Sequence, residues 1–256
     1  MKLGAQLYTV HDFTTTLEGL DQTLARVADI GYRYVQVSGT CDYSPEWLRD
    51  TLRKYGLTCV LTHISPDRLE NETERVVAEH KIFGCKYIGI GGMPMDCRGN
   101  PHGAELFHDR FIKTAKTFRE QGAKLFYHNH AFELQHVNDR ALFWEIADLF
   151  SPEELGFTLD TYWIQAGGGN PVDFIKNLPG RLQCVHLKDM SANEKNETIM
   201  RPIFEGNMDF CAIIDACYQA NCEYVLVEQD DCYGENPFDC LARSFEHIIK
   251  KYPDLR

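Results

Sequence analysis

Each of four short apolar runs in the second half of the chain ends on a side chain that can bind a metal ion. The runs cover residues 124–128, 155–160, 182–186 and 224–228, and they end on His128, Asp160, His186 and Glu228. Two imidazoles and two carboxylates are the nitrogen and oxygen donors that a divalent transition ion favours. Four such residues at the same position on four successive strands indicate that the strand ends converge on one point, as they do in a closed parallel barrel.

Each of these residues taken alone has an ordinary structural explanation. A single histidine at a strand end is more often a hydrogen-bonded loop or core residue than a ligand. Asp160 precedes Thr161 and is suited to a turn or a helix N-cap. Glu228 is followed by Gln-Asp-Asp and suits a solvated acidic run. Taken together, the four favour a metal site, because chance would have to place compatible ligands on four consecutive strand ends.

The elements that position these residues alternate along the whole chain. Period and turn signals predict strands at residues 3–8, 32–37, 58–62, 86–90, 124–127, 155–159, 182–187 and 224–227. They predict helices at residues 17–30, 45–55, 68–83, 104–121, 140–149, 172–177, 210–221 and 238–251. Ser44 is the expected N-cap of the second helix, with Pro45 at its first position.

This alternation predicts an α/β fold, a (β/α)8 TIM barrel that forms a single domain over residues 1–256. Strands separated by helical segments of about 10–15 residues favour parallel βαβ units, and eight units in about 250 residues favour a closed barrel. A doubly wound open sheet is the alternative architecture. Its dinucleotide-binding form is disfavoured, because no G-x-G-x-x-G sequence follows the first strand.

Composition narrows the possible partners. The 256 residues carry a formal net charge of −12, which would repel a phosphate backbone and disfavours nucleic acid as a partner. No basic amphipathic stretch or long apolar run indicates a membrane, and no signal peptide is recognised at the start, so we expect a cytoplasmic protein. The ten cysteines are scattered without a C-x-x-C pair, which favours buried free thiols over disulfides or a zinc knuckle.

Further polar side chains are expected at the same face as the four candidate ligands. Side chains alternate along a strand, so His130 should point the same way as His128, and Lys188 the same way as His186. Tyr8, which ends the first predicted strand, and the later strand-end residues Gln36 and His63 are expected to line the same cavity.

Several motifs resemble those of the xylose isomerase-like TIM barrels, the sugar phosphate isomerase/epimerase superfamily. They are Gly-Ala-Gln-Leu-Tyr-Thr at residues 4–9, Tyr-His-Asn-His at 127–130, Leu-Asp-Thr at 159–161, Val-His-Leu-Lys-Asp at 185–189, Glu-Gly-Asn-Met-Asp-Phe at 205–210 and Val-Glu at 227–228. The resemblance covers nearly the whole chain. The family's substrates vary, since isomerases, epimerases, dehydratases and an apurinic endonuclease share the fold.

The resemblance implies one divalent ion held by His128, Asp160, His186 and Glu228. Mn, Co, Zn or Fe suits two histidines and two carboxylates better than Mg does. It further implies an isomerase or epimerase that acts on a small keto sugar or polyol through a metal-stabilised enediolate. Two departures bear on this: many members have Glu where this chain has His128, and sugar epimerases often have His where it has Trp163.

Roles follow from the same comparison. Glu228 and His130 are the candidate bases, and Lys188 would neutralise oxyanion charge or bind a carboxylate or phosphate. The candidate substrate contacts are Tyr8, Gln36, His63, Trp163 and Glu205. The Tyr-His-Asn-His variant is similar to a subgroup near the inosose dehydratases and to enzymes that eliminate across 3-keto sugars.

Three alternatives stay open at this point. The first is a lyase that dehydrates an inosose or eliminates across a 3-keto glycoside, because the same proton abstraction starts both reactions. The second, an apurinic endonuclease, is disfavoured by the acidic charge. The third is a non-catalytic sugar-binding barrel. Exposed barrel helices often pair with a second copy, so a homo-oligomer is compatible with the sequence.

Overall fold

A computed structural model describes residues 1–137 and 139–256 and confirms the predicted (β/α)8 barrel. Eight parallel strands close into one barrel, in which each strand pairs with its neighbours in sequence and the last pairs with the first. The strands are β1 (Lys2–Gln6), β2 (Tyr34–Val37), β3 (Thr58–His63), β4 (Tyr87–Ile90), β5 (Lys124–His128), β6 (Leu155–Asp160), β7 (Cys184–Leu187) and β8 (Tyr224–Val227). They differ from the predicted strands only at their ends, by up to two residues.

Ten α-helices are found among the described residues, most of them packed around the barrel. They are α1 (Leu17–Ile30), α2 (Pro45–Tyr55), α3 (Pro66–Asn71), α4 (Thr73–Phe83), α5 (Gly103–Glu120), α6 (Leu142–Leu149), α7 (Thr161–Ala166), α8 (Pro171–Lys176), α9 (Phe210–Gln219) and α10 (Pro237–Lys251). The predicted cap of α2 is confirmed, since the Trp47 amide donates to Ser44 Oγ at 3.2 Å. Proline at the first position also begins α3, α8 and α10, where its missing N–H costs nothing.

The helix predicted over residues 68–83 is in fact two helices. Glu72 leaves helical geometry with φ −126° and ψ 27°, which ends α3 and begins α4. The Thr73 hydroxyl donates to the Leu69 carbonyl at 2.5 Å and so competes with the backbone at this point. The sequence pattern did not reveal the break, because the apolar period of 3.6 residues continues across it.

Short elements that the periodicity did not predict surround the open face of the barrel. Two antiparallel hairpins pair His136–Val137 with Arg140–Ala141 and Asp189–Ala192 with Thr198–Arg201. The first strand ends earlier than predicted, at Gln6, whose side chain accepts from the Tyr8 amide at 3.3 Å and caps a 3-10 helix, Leu7–Phe13. Tyr8 therefore lies in the turn after β1 and not on the strand.

A packed core fills the lower part of the barrel. Val60, Leu61, Tyr87, Phe126, Cys184 and Leu226 form a cluster distinct from the larger core. By the alternation of side chains, Phe126, Cys184 and Leu226 lie one step below His128, His186 and Glu228. The barrel thus presents these polar residues above a closed apolar floor.

Two predictions about composition can be compared with the structure. All ten cysteines are free thiols, and eight of them are buried, which confirms the expectation of buried thiols. Among the described residues, none of the helices has the length and apolar character needed to cross a bilayer.

Candidate metal centre

The four predicted ligands converge at the carboxyl ends of β5, β6, β7 and β8. Register in the barrel pairs Asp160 with His186, and the Glu228 amide donates to the Leu187 carbonyl at 3.1 Å. One potential ligand atom from each of His128, Asp160, His186 and Glu228 lies within 4.8 Å of the others, and all four residues are buried.

Gln36 fixes the orientation of the His186 ring. Its amide oxygen lies 2.7 Å from His186 Nε2, while its amide nitrogen lies 3.1 Å from Ser38 Oγ and 3.0 Å from His63 Nε2. An amide oxygen can only accept, so His186 Nε2 carries the hydrogen. In the neutral form of His186, the lone pair of Nδ1 is then directed at the centre of the cluster, 2.8 Å from Glu228 Oε2.

Two buried atoms of the cluster are positioned to bind a metal ion. His186 Nδ1 and Glu228 Oε2 are both buried, and within the described chain neither has a partner in hydrogen-bonding geometry. A buried polar atom without a partner is costly. A divalent ion would satisfy both atoms, and the outer hydrogen bond from His186 to Gln36 is the kind of support that ligand histidines have. The residues present therefore fit a divalent ion.

Lys188 lies among the carboxylates of the cluster. Its Nζ is 3.1 Å from Asp160 Oδ2, 3.1 Å from Glu228 Oε2 and 2.8 Å from each oxygen of Asp230, and the residue is only 1% exposed. Burial lowers the pKa of Lys188, but these three carboxylates outweigh burial and raise it above its ordinary value. The lysine is therefore a fixed positive charge at pH 7.

The ligand side chains have strongly shifted protonation equilibria. Burial raises the pKa of Glu228 and of Asp160, but Lys188 and the neighbouring histidines outweigh burial and hold both pKa values below their usual range. Burial lowers the pKa of His186, whereas Glu228 and Asp160 raise it, with a net value of about 9. In the absence of an ion, a proton would therefore occupy the position between His186 and Glu228.

Asp160 connects the cluster to the helix that follows β6. Its Oδ1 accepts from the Trp163 amide at 2.9 Å and caps α7, which leaves Oδ2 for the cluster. The Asp160 amide donates to Asn129 Oδ1 at 2.9 Å. The cap and ligand explanations considered for this residue are thus compatible, since each uses a different carboxylate oxygen.

His130 lies beside His128, as strand alternation predicts. Their ring centroids are 4.8 Å apart, and the buried His130 Nδ1 has no partner among the described residues. Burial, followed by the nearby His128, lowers the pKa of His130 to about 3, so the ring is neutral at pH 7. Glu133 holds this segment by accepting from the His130 amide at 2.8 Å and from the Tyr127 hydroxyl.

A cavity of about 330 Å³ opens above the cluster. Its wall is formed by Gln6, Tyr8, Ser38, Gly39, His63, Gly91, His128, His130, Trp163, Lys188, Glu228 and Asp230. Three of the predicted substrate contacts, Tyr8, His63 and Trp163, therefore border this space. Gln36 is fully buried behind His186 and is not among the wall residues, so it supports a candidate ligand and does not face the cavity.

The structure does not bring Glu205 to this cavity. The Asp189 carboxylate accepts from the amides of Phe204 and Gly206, both at 3.0 Å, and so fixes the loop around this residue. Glu205 instead pairs with Arg243 of α10 at 2.8 Å. The geometry gives no support to the sequence prediction of a substrate contact there.

Asp230 is a wall residue that the sequence analysis did not select. In the sequence it stands in the acidic segment after Glu228, and in the structure both of its oxygens lie 2.8 Å from Lys188 Nζ. Burial and the nearby Glu228 raise its pKa to about 6. The spacing in the sequence could have predicted this position, because residues two apart on a strand point the same way. Asp230 follows Glu228 by two residues, as His130 follows His128 and Lys188 follows His186.

The chain is similar to known proteins over most of its length. The family model described as xylose isomerase-like TIM barrel matches residues 24–249. An inosose dehydratase from Geobacillus kaustophilus is 30% identical over 274 residues, which cover 91% of this chain and 86% of the relative. A second inosose dehydratase, from Clostridium beijerinckii, is 23% identical over 79% of this chain and 68% of the relative.

A solved structure is similar over the full length. The crystal structure of a sugar phosphate isomerase/epimerase from Parabacteroides distasonis superposes with a TM-score of 0.84. It is 19% identical and covers 100% of this chain and 95% of the other. At this identity the likeness establishes the fold. The two sequence relatives, in contrast, are both named inosose dehydratase.

Proposed function

Because this chain belongs to the xylose isomerase-like TIM barrel family, we propose that it is a divalent-metal-dependent lyase that dehydrates an inosose or a closely related keto sugar. The observation that carries the proposal is the buried convergence of His186 Nδ1 and Glu228 Oε2, which lie 2.8 Å apart at the centre of the candidate ligand set. His128 and Asp160 complete the candidate ligand set.

An ion bound by these four residues would polarise a substrate carbonyl and stabilise negative charge on its oxygen. The chain itself must remove a proton from the adjacent carbon. His130 is the better candidate base of the two considered, because it is neutral, borders the cavity and has an unpartnered Nδ1. Glu228 would serve mainly as a ligand, because its Oε2 is directed at His186 and Lys188.

The remaining wall residues suit the loss of a hydroxyl group. Lys188 borders the cavity as a fixed cation and can stabilise the leaving oxygen, with Asp230 holding its Nζ at 2.8 Å. Trp163 offers an apolar face to the ring of the substrate, 5.5 Å from His130 between ring centroids. A cavity of about 330 Å³ is of a size suited to one small polyol.

The sequence analysis placed isomerase or epimerase first and a lyase second, and we reverse that order. Both sequence relatives are named inosose dehydratase. The symmetric epimerase mechanism uses two glutamates, and this chain has His128 in place of one of them. Isomerisation shares the first proton abstraction, so it is retained as a distinct outcome of the test.

The test is proton NMR in heavy water with manganese-loaded protein and a panel of inososes and keto sugars. Loss of water with new enone or dione signals would support the lyase. Deuterium beside the carbonyl together with an epimer or isomer would favour the isomerase instead. His130→Ala should abolish exchange while it retains the metal, and His136→Ala, on an exposed hairpin, is the matched control.

Two further outcomes would contradict the proposal. Metal-loaded protein that exchanges no carbon-bound proton on any of these compounds would favour a non-catalytic sugar-binding barrel. Full activity in protein stripped of divalent ions would exclude the proposed metal dependence.

A further inference from the structure

Arg98 lies in the loop between β4 and α5 and has a fixed side chain. Its Nε donates to the Met93 carbonyl at 2.8 Å, and its guanidinium lies over the Phe132 ring, 4.6 Å from the centroid. A guanidinium that is hydrogen-bonded at one edge and stacked on a ring keeps a single orientation. The residue is nevertheless exposed, so its outer nitrogens remain accessible.

The charge of Arg98 is not neutralised within the described chain. Among residues 1–137 and 139–256, none of the carboxylates forms an ion pair with Arg98, and Nε is the nitrogen that donates to an acceptor. The acidic residue nearest in sequence, Asp96, is held by Arg110 at 2.8 Å. Lys188, the cation that borders the cavity, is surrounded by carboxylates. Arg98 is not itself a wall residue of the cavity, but it is a cation of the adjoining loop that remains available to a ligand.

Gly92 lies next to both Arg98 and His130, a residue of the candidate active site. A Cβ atom built on Gly92 would lie 3.2 Å from Arg98 Nη2 and 3.5 Å from His130 Cε1. His130 borders the cavity and its ring is stacked with that of Phe132, with centroids 6.0 Å apart. The guanidinium and the candidate base thus flank the same glycine, and the missing side chain leaves space between them.

We infer that Arg98 binds an anionic group of the substrate, a carboxylate or a phosphate carried by the same polyol whose carbonyl lies at the metal centre. This inference rests on the proposed function and adds a charged substituent to the substrate class. The two free nitrogens of the guanidinium can bind two oxygens of such a group at once. A positioned cation is needed for this purpose, because the chain as a whole carries a net charge of −12 and repels anions.

The experiment is equilibrium binding to full-length, manganese-loaded protein, followed by calorimetry. The ligands are D-glucuronate, D-glucose 6-phosphate and D-glucose, which share a hydroxylated ring and differ in charged group. We expect at least one of the two anions to bind at least tenfold more tightly than glucose. Which anion does so distinguishes a carboxylate from a phosphate substituent.

The variant Arg98→Met should raise the Kd of the preferred anion at least tenfold and leave that of glucose unchanged. Arg98→Lys should recover part of the affinity, since the charge returns without the planar fork. Arg119→Met is the matched control, because Arg119 is an exposed residue in the last turn of α5. Salt at 0.5 M should weaken binding of the anion and not of glucose.

Equal affinity for all three ligands, an equal loss of all three in Arg98→Met, or no binding of either anion would overturn the inference. The proposed function is judged separately, because its exchange experiment includes neutral inososes that do not need Arg98. An enzyme that dehydrates a neutral inosose equally well with and without Arg98, and binds neither anion, would retain the proposed function and lose only this inference.

Discussion

At the scale of single residues, Gln36 determines which nitrogen of His186 is free to bind a metal. The variant Gln36→Leu removes the acceptor at 2.7 Å and leaves the side chain similar in size. We expect a loss of metal affinity of about 10–100-fold, the usual effect of removing an outer hydrogen bond to a ligand histidine. Competition with a fluorescent chelator measures this change.

The control for Gln36→Leu is Gln22→Leu on the exposed face of α1, where the side chain donates to Glu18 at 3.2 Å. Its metal affinity should equal that of the parent protein. A Gln36→Leu protein that folds and binds metal as tightly as Gln22→Leu would contradict the role assigned to this hydrogen bond.

Protonation of His186 should make metal binding depend on pH. Its pKa of about 9 lies above the ordinary value of 6.5, so the metal-free protein is stabilised by this group below pH 6.5 and loses that stability as the pH rises through 9. The depressed pKa values of Asp160 and Glu228 act in the opposite sense, with stability lost as the pH falls. A bound ion must displace the His186 proton.

Metal affinity should therefore rise roughly tenfold per pH unit between about pH 7 and 8.5, with about one proton released per ion bound. Calorimetry in buffers of different ionisation enthalpy measures the released protons. An affinity that stays flat over this range would contradict the shared proton between His186 and Glu228.

At the scale of elements, Asp160 at the end of β6 uses its two carboxylate oxygens for different purposes. Oδ1 caps helix α7, and Oδ2 faces the candidate metal cluster. Asp160→Asn keeps an oxygen that can cap α7 and removes the charge, so it should reduce metal affinity and leave the environment of Trp163 unchanged. Asp160→Ala removes both functions and should also lower the free energy of unfolding, by about 0.5–2 kcal/mol for the lost cap. Tryptophan fluorescence and urea denaturation of metal-free protein distinguish the two variants.

A suitable comparison for this pair is Ser44→Ala, which removes the cap of α2 at a residue that is neither a candidate ligand nor, among the described residues, a hydrogen-bond partner of one. It should destabilise the fold by a similar amount and leave metal affinity intact. If Asp160→Asn instead shifted the Trp163 emission as much as Asp160→Ala does, the assignment of Oδ1 to the helix cap and of Oδ2 to the metal cluster would be incorrect.

The sequence predicted the long elements well and the short ones poorly, for physical reasons. Helices such as α1 have apolar patterns long enough to define a period, and strands such as β8 are continuous apolar runs at the expected spacing between helices. Helix α7 has six residues directly after a strand, so no period could be recognised. The Asp189–Ala192 hairpin depends on contacts with other loops, such as the Asn207 amide to the Met190 carbonyl at 2.7 Å, which no local pattern records.

The candidate site was predictable to the extent that strand alternation determines it. His128, Asp160, His186 and Glu228 were found because each follows an apolar run. Gln36 was assigned to the substrate and Asp230 to solvent, because only the closed barrel brings β2 against His186 and the segment after β8 against Lys188. Contacts across the barrel join residues that are distant in sequence, and Gln36 and His186 are separated by 150 residues. Local sequence patterns cannot predict such contacts.

At the scale of the whole molecule, the acidic charge should keep this barrel away from nucleic acid. With a net charge of −12, we expect no detectable binding to an abasic DNA duplex at about 10 µM protein and low salt. Fluorescence anisotropy measures this, with a basic DNA-binding protein as the positive control. Salt-dependent binding in the nanomolar range would revive the endonuclease alternative.

The closure of the barrel between β1 and β8 has a consequence for how the protein is made. Lys2 pairs with Tyr224, so the first strand lacks one of its two partners until the last strand has left the ribosome. At synthesis rates of about 5–20 residues per second, this interval is on the order of 10–40 seconds. During that time the nascent chain has an open apolar sheet edge beside β1, which chaperones would be expected to cover. Glu228 leaves the ribosome only after that wait, so cellular metal can reach a complete set of ligands only once β8 has been synthesised.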